Sequence, residues 1–382
     1  MSGRDDVVMK AVMSDVMRVG TSSTKKGVQS VNSVGDTALR LCVAARTLTA
    51  ENIVAFELAS VDGMPLPAFT AGAHIEVDCG GMARHYSICS DPSDPMHYTI
   101  AVQHEKSGKG GSRYLYDNVH MGDIVLCSLP RNHFRLHSDV AASPEVSTVA
   151  LANGAALGAD TLLVAGGIGI TPLLAMAWRL HHDGHAFQLH DFAASAARQV
   201  FKEQMTQFPW HDRVTRHVGR CEDFMPIVGS FESGRHLYVC GPFTMIDAVL
   251  DAARAMGWPE THLHCERFSA PVPTSSSSTN PGDPGSVAHT GIVDTAFEVE
   301  LASSGKRIAI AADQSVGAAL IAAGVNVPMS CEQGVCGSCL TRVLAGTPDH
   351  RDWILSPEEQ AANDQFTPCC SRSCSPLLIL DL

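Results

Sequence analysis

Cys331, Cys336 and Cys339 form a C-x4-C-x2-C run, and Cys369 follows thirty positions after the third, with Cys370 and Cys374 close behind. Three soft thiolates on one short loop and a fourth from a distant segment is the ligand spacing of a plant-type 2Fe-2S cluster. Such a loop must wrap two bridged irons closely, and Gly334, Gly337 and Ser338 add little bulk to it. A structural zinc site also takes four thiolates, but usually from two C-x2-C knuckles, and only one such pair occurs here. The residues alone leave the fourth ligand open between Cys369, Cys370 and Cys374. Cys42, Cys79, Cys89, Cys127, Cys221 and Cys265 read as incidental thiols.

A second chemistry is written in Ala165-Gly166-Gly167-Ile168-Gly169-Ile170-Thr171-Pro172. Glycines between a strand and a helix let the backbone approach a pyrophosphate, and Pro172 suits a first helical turn, whose free N–H groups attract anions. The run departs from G-x-G-x-x-G, because Pro172 stands where the third glycine belongs. Cys240-Gly241-Pro242 repeats the pattern after Leu237 to Val239, and ligands of parallel α/β sheets collect at such carboxyl ends. Arg84-His85-Tyr86-Ser87 supplies a cation, an aromatic ring and a hydroxyl side by side, suited to a ring system and its phosphate. Lys106 to Ser112, with Lys109, Gly110, Gly111 and Ser112, offers backbone N–H groups and charge to the same anion.

These groups need scaffolds. From Leu39 to Leu129 short alternating runs recur, as in Ile53 to Leu58, His74 to Val77, His97 to Ile100 and Asp123 to Leu126, the pattern of an antiparallel β-barrel. Beyond Asp160 strands alternate with helical segments: Leu162 to Ala165, Pro172 to His182, Phe187 to Phe192, Arg198 to Met205, His236 to Cys240 and Thr244 to Met256. That alternation predicts a parallel, Rossmann-like α/β sheet. The expected organisation is a mobile leader over 1–36, a barrel over 37–136, an extended insertion over 137–160, the α/β unit over 161–269, a Pro/Ser/Gly-rich linker over 270–286 and a cysteine-bearing unit over 287–382.

Composition narrows the partners. A chain of 382 residues with net charge −13 has no general attraction for nucleic acid or an anionic membrane. Thirteen cysteines, an odd number in a chain too long to need a disulfide framework, and a start lacking an apolar signal core point to the reducing cytoplasm. The uncharged stretch Thr161 to Trp178 reads as a buried strand, turn and helix start, because glycines and Pro172 interrupt it.

The three motifs in this order resemble the phthalate dioxygenase reductase family, which includes the vanillate demethylase reductases and runs FMN, NAD, ferredoxin; the likeness spans about residues 37 to 382. It implies a multi-domain chain whose last unit is an α+β, β-grasp-like ferredoxin. It implies FMN held by Arg84, His85, Tyr86, Ser87, Ala101, Val102, Gln103, Lys109, Gly110, Gly111, Ser112, Thr171 and Phe268. NADH is expected at Gly166, Gly167, Gly169, Thr171, Pro172, Cys240, Gly241 and Pro242, with Ser87 and Cys240 flanking hydride transfer. The family's Cys-x-Ser-Arg matches Cys369 to Arg372, making Cys369 the fourth ligand beside Cys331, Cys336 and Cys339. Lys109 stands where an Arg is common, and the leader and the loop Ser138 to Ala159 have no family counterpart.

A nicotinamide gives two electrons and an iron-sulfur cluster takes one, so a flavin between them is the required converter. Ala193 to Arg198 shows no basic cluster for a 2′-phosphate, which favours NADH. No cysteine is followed two positions later by His, the local pairing of a Rieske centre, so the acceptor is expected in a separate terminal oxygenase, of Rieske type by resemblance. Residues 286–382 carry 11 acidic and 5 basic side chains, a charge that either steers docking or only keeps the chain soluble. The rival readings are a stand-alone NADH:acceptor or flavin reductase with a non-oxygenase partner, and a non-catalytic iron-sulfur redox sensor.

Overall fold

The computed structural model describes residues 38–106, 108–137, 161–268 and 294–382. The expected leader, the linker and all of the insertion but His137 lie outside these. Six antiparallel strands make the first sheet: β1 (Leu39–Ala50), β2 (Ile53–Ser60), β3 (His74–Asp78), β4 (Ala83–Ser87), β5 (His97–Gln103) and β6 (Ile124–Cys127), in the order β4-β3-β6-β1-β2-β5. The two ends of that order meet where Ile88, just past β4, bridges Ile100 of β5, so the sheet closes into the expected barrel. Ile75 and Val77 alternate inward on β3 and are fully buried. Helix α1 (Gly111–Asn118) follows β5.

The second sheet is wholly parallel, as expected, and comprises β7 (Thr161–Gly166), β8 (Phe187–Ala193), β9 (Val214–Val218), β10 (Leu237–Cys240) and β11 (Leu263–Glu266), ordered β11-β10-β7-β8-β9. Every residue of β7 is buried, which is why its sequence is apolar without alternation. Thr161 to Trp178 resolves into β7, the 3-10 turn Gly167–Gly169 and the start of α2 (Ile170–His182); no helix among the described residues is long and apolar enough to cross a membrane. Helix α3 (Phe243–Ala255) follows β10.

One expected helix is absent. Arg198 to Met205 holds only the short 3-10 turns Ala196–Arg198 and Gln204–Gln207, because Phe201 between them takes a left-handed φ of 55°, which an α-helix does not accept. Val200, Phe201 and Met205 are instead buried in the core with Trp210.

The last unit has β12 (Phe297–Leu301), β13 (Arg307–Ile310), β14 (Thr341–Ala345), β16 (Gln365–Phe366) and β18 (Leu377–Leu380) in the order β13-β12-β18-β14-β16, and a two-stranded pair, β15 (Pro348–Asp349) with β17 (Arg372–Ser373). β12 and β18 run parallel and the other pairs antiparallel. Helix α4 (Val316–Ala322) is capped by the Ser315 hydroxyl, which accepts from the Ala318 amide. This unit has its own apolar core, around Val299, Leu320, Phe366 and Leu378, whereas the barrel and the parallel sheet share one core from Leu41 to Tyr238.

Candidate functional site

The cysteine loop has no regular secondary structure and turns at three left-handed residues, Glu332, Gly334 and Gly337. Gly334 is obligatory: a Cβ there would lie 2.5 Å from Cys370 Sγ and 2.9 Å from Asp352 Cα. The loop gathers its thiols, with Cys331 within hydrogen-bond reach of Cys336 and Cys369, and Cys339 within reach of Cys369. Sharing hydrogen bonds with Cys336 and Cys369 holds Cys331 far below the ordinary thiol range. The Gln333 amide also points at Cys331 Sγ from 3.4 Å. Amides aimed at sulfur favour thiolates, the form that binds iron.

Cys370 Sγ is within reach of Cys369 but is also held by Thr367, 3.2 Å from its Oγ1, and Cys374 is exposed. Among the described residues no three His, Cys, Asp or Glu side chains converge on a point that would hold one metal ion. A binuclear cluster asks for something else, two thiolates on each iron, and the four-thiol cage fits it.

Arg84 lies on β4 beside the start of α1. Gly110 has φ 96°, and a Cβ on Gly111 would come within 2.6 Å of Arg84 Cγ, so only glycine leaves room for that guanidinium at a helix N-terminus. The pairing is a cradle fitted to a phosphate. Arg84 Nη1 also donates to the carbonyls of Ala83 at 2.6 Å and of Ser330, in the cysteine-bearing unit, at 3.3 Å. Lys109, expected at the phosphate, spends its ammonium on Glu332 of the cysteine loop, 2.5 Å away. Ser112 Oγ accepts from the Glu105 amide.

The rest of the expected flavin set is dispersed around this cradle. Ser87 is buried; Tyr86 is half-buried with its hydroxyl on Cys79, and desolvation raises its phenol well above the ordinary value. Ala101 and Val102 are buried in β5, so only their backbone is available, along the outer rim of that strand; Gln103 ends the strand with its amide on Glu105. The Thr171 hydroxyl donates to the Ile168 carbonyl at 3.0 Å, and Phe268 is exposed.

The two glycine turns press together backbone to backbone. A Cβ on Gly169 would sit 2.3 Å from the Cys240 carbonyl oxygen, and one on Gly241 would sit 2.9 Å from Gly166 Cα. Gly167 serves differently, in open space with φ 56°. Pro172 lies in the first turn of α2, and Pro242 immediately precedes α3. Cys240 is fully buried, and burial pushes its thiol well up, so it stays neutral.

Beside it in parallel register stands Glu266, whose carboxyl burial pushes up to about 8. The sequence reading passed over this carboxyl; its place at the carboxyl end of a strand adjoining Cys240 was the available signal. It also missed a contact between the α/β and cysteine-bearing units, where Arg267 lies 3.9 Å over the Phe243 ring and Trp353 meets that ring edge-on at 4.7 Å.

Comparison with known proteins agrees with these features. Residues 299–374 match the 2Fe-2S iron-sulfur cluster binding domain. The chain is 42% identical over 347 residues to a vanillate O-demethylase oxidoreductase of Pseudomonas putida, covering 89% of this chain and 98% of that one. The solved structure of phthalate dioxygenase reductase, described as a modular structure for electron transfer from pyridine nucleotides to [2Fe-2S], is 35% identical with a TM-score of 0.63, covering 91% of this chain and 98% of that one. An intact type IV self-sufficient cytochrome P450 monooxygenase is 32% identical with a TM-score of 0.72; the match covers 94% of this chain but only 43% of that longer one.

Proposed function

This chain belongs to the family of the vanillate O-demethylase oxidoreductases and phthalate dioxygenase reductases, and on that premise we propose that it draws on NADH and FMN to feed a separate terminal oxygenase. It is the reductase of an oxygenase or demethylase system, with a 2Fe-2S domain at its C-terminal end. The finer assignment is a Rieske-type oxygenase or O-demethylase partner, met in the cytoplasm. FMN is assigned to 37–136, NADH to 161–269 and the cluster to 287–382.

A bound flavin accepts a hydride from a nicotinamide and releases electrons singly to an iron-sulfur cluster. The chain's own residues hold and align. Arg84, Gly110 and Gly111 would hold the flavin's phosphate, and Ser87 and Thr171 are the side chains assigned to its ring. Gly166, Gly169 and Gly241 let the two turns close on each other, and Gly167 leaves the space beside the N-terminus of α2 where a pyrophosphate would lie. Cys240, kept as a neutral thiol by burial, puts no charge beside the nicotinamide. Cys331, Cys336, Cys339 and Cys369 carry the cluster. No side chain acts as a general acid or base in this scheme. All thirteen cysteines are free, which suits a reducing compartment.

The observation that carries the reading is the contact of the flavin strand with the cysteine loop, where Arg84 Nη1 reaches the Ser330 carbonyl next to Cys331. It joins the two redox units of one route. Replacing Cys336 with Ser tests it: NADH-driven reduction of ferricyanide, which takes electrons at the flavin, is expected to persist, while reduction of cytochrome c falls. Equal survival of both activities would exclude the route.

A further inference from the structure

His85 sits in the middle of the flavin motif, yet its ring faces the cysteine loop. Pairing of β3 with β4 sets Glu76 opposite His85 and His74 opposite Ser87, so these four side chains share one face of the barrel. On that face His85 Nε2 lies 3.2 Å from Glu76 Oε2 and 3.0 Å from the Ser338 hydroxyl, which belongs to the loop residue between Gly337 and Cys339. A carboxylate only accepts, so Nε2 carries the hydrogen and shares it between Glu76 and Ser338. The His74 ring packs against the His85 ring at 4.6 Å, and the His133 ring against His74 at 5.7 Å. The imidazole is therefore held from behind by the His74 ring, itself backed by His133, and from the side by a carboxylate, with its donor aimed across the boundary between units.

Two other contacts cross that boundary and are weaker fixings. Lys109 and Glu332 are each about half exposed, at 49% and 47%, and exposed ion pairs hold position poorly. The bond from Arg84 to the Ser330 carbonyl is long, at 3.3 Å. The His85 side chain is only 16% exposed and Ser338 is half-buried, so theirs is the more sheltered contact across the boundary.

Resting on the function proposed above, we propose that His85 is a positioning residue: through Ser338 it fixes the loop bearing Cys336 and Cys339 against the flavin strand, and so sets the rate at which single electrons pass from flavin to cluster. Ser87, the residue expected beside the flavin ring, lies two positions along the same strand, about 7 Å from His85. In the step concerned the flavin is oxidised by one electron and one iron of the cluster is reduced by one; no bond forms or breaks, so separation of the two groups governs the rate.

The test uses the full chain carrying flavin and cluster, followed by stopped-flow absorbance after mixing with NADH. In Ser338→Ala, flavin reduction is expected at the native rate while the following cluster reduction slows several-fold, because the loop is free to move away from the flavin strand. The cluster's midpoint potential in an equilibrium titration and its EPR signal are expected to stay native, because distance changes and driving force does not. His85→Phe should slow cluster reduction equally, the double variant should be no slower than either single one, and His85→Gln, which keeps a donor, should recover most of the rate. Cluster reduction at the native rate in Ser338→Ala, a potential shift large enough to account for the slowing, or additive losses in the double variant would each overturn the proposal. Failure of NADH to reduce the cluster in the unmodified chain would instead overturn the proposed function.

Discussion

Gly169→Ala probes the nucleotide site without touching any polar group. Gly169 has φ −63° and ψ −5°, angles any residue adopts, so the backbone itself resists nothing. The cost comes from collision. The new methyl would lie 2.3 Å from the Cys240 carbonyl oxygen, 2.4 Å from its carbon and 2.6 Å from the Gly241 nitrogen, all backbone atoms without a rotamer to yield. Bringing the shortest contact to 3.0 Å requires the two turns to part by 0.7 Å. Overpacking of this kind costs about 1–3 kcal/mol. Spread over a unit of this size that lowers Tm by about 5 °C. Parting the turns also widens the gap that a pyrophosphate and nicotinamide would span, so kcat/KM for NADH with ferricyanide should fall between about tenfold and a hundredfold. Gly184→Ala, in the turn after α2 and outside the nucleotide site, is the control: its Cβ meets nothing within 4 Å, and only the left-handed φ of 71° resists, at about 1–2 kcal/mol. It should lose comparable stability but much less kcat/KM. Native kinetics and native Tm in Gly169→Ala would refute the argument that contact between the turns seats the nucleotide.

Two further outcomes follow from the site. Cys369→Ser should abolish the visible absorbance and iron content of the purified protein, whereas Cys370→Ser, whose sulfur is turned to Thr367, should retain both; the reverse pattern would reassign the fourth ligand. Thermal stability should peak at about pH 7: His74 and His236, held down to about 3, and His190 and His264, held down to about 4, are neutral in the folded chain, so stability falls as the unfolded chain gains protons below about 6.5. Glu266, protonated up to about 8 when folded but only to its ordinary 4.5 when unfolded, makes stability decline between those two values; the four histidines outweigh that decline below about pH 7, and Glu266→Gln should remove it while leaving the acid limb; melting curves across this range check both limbs.

What could be read from the sequence follows from how local each signal is. Cys331, Cys336 and Cys339 are legible because ligand spacing is a property of one loop, and the two glycine turns because strand, turn and helix are contiguous. The fourth ligand is harder, since Cys369 and Cys370 differ only in which way adjacent residues point, and Thr367 and the space left by Gly334 hold the Cys370 sulfur where it is. Arg198 to Met205 looked helical because its apolar spacing permits a helix, but burial of Phe201 in a left-handed conformation outweighed the pattern. Contacts between units carry no period at all. The pairing of Lys109 with Glu332, 223 positions away, and the meeting of His85 with Ser338, 253 positions away, leave no trace in the motifs that hold these residues. A sequence reports which charge or donor stands on a strand and, through alternation, which face it shares. Which partner that face meets depends on how separately built cores abut, so in this chain the motif-bearing turns are readable and the junction between the units is not.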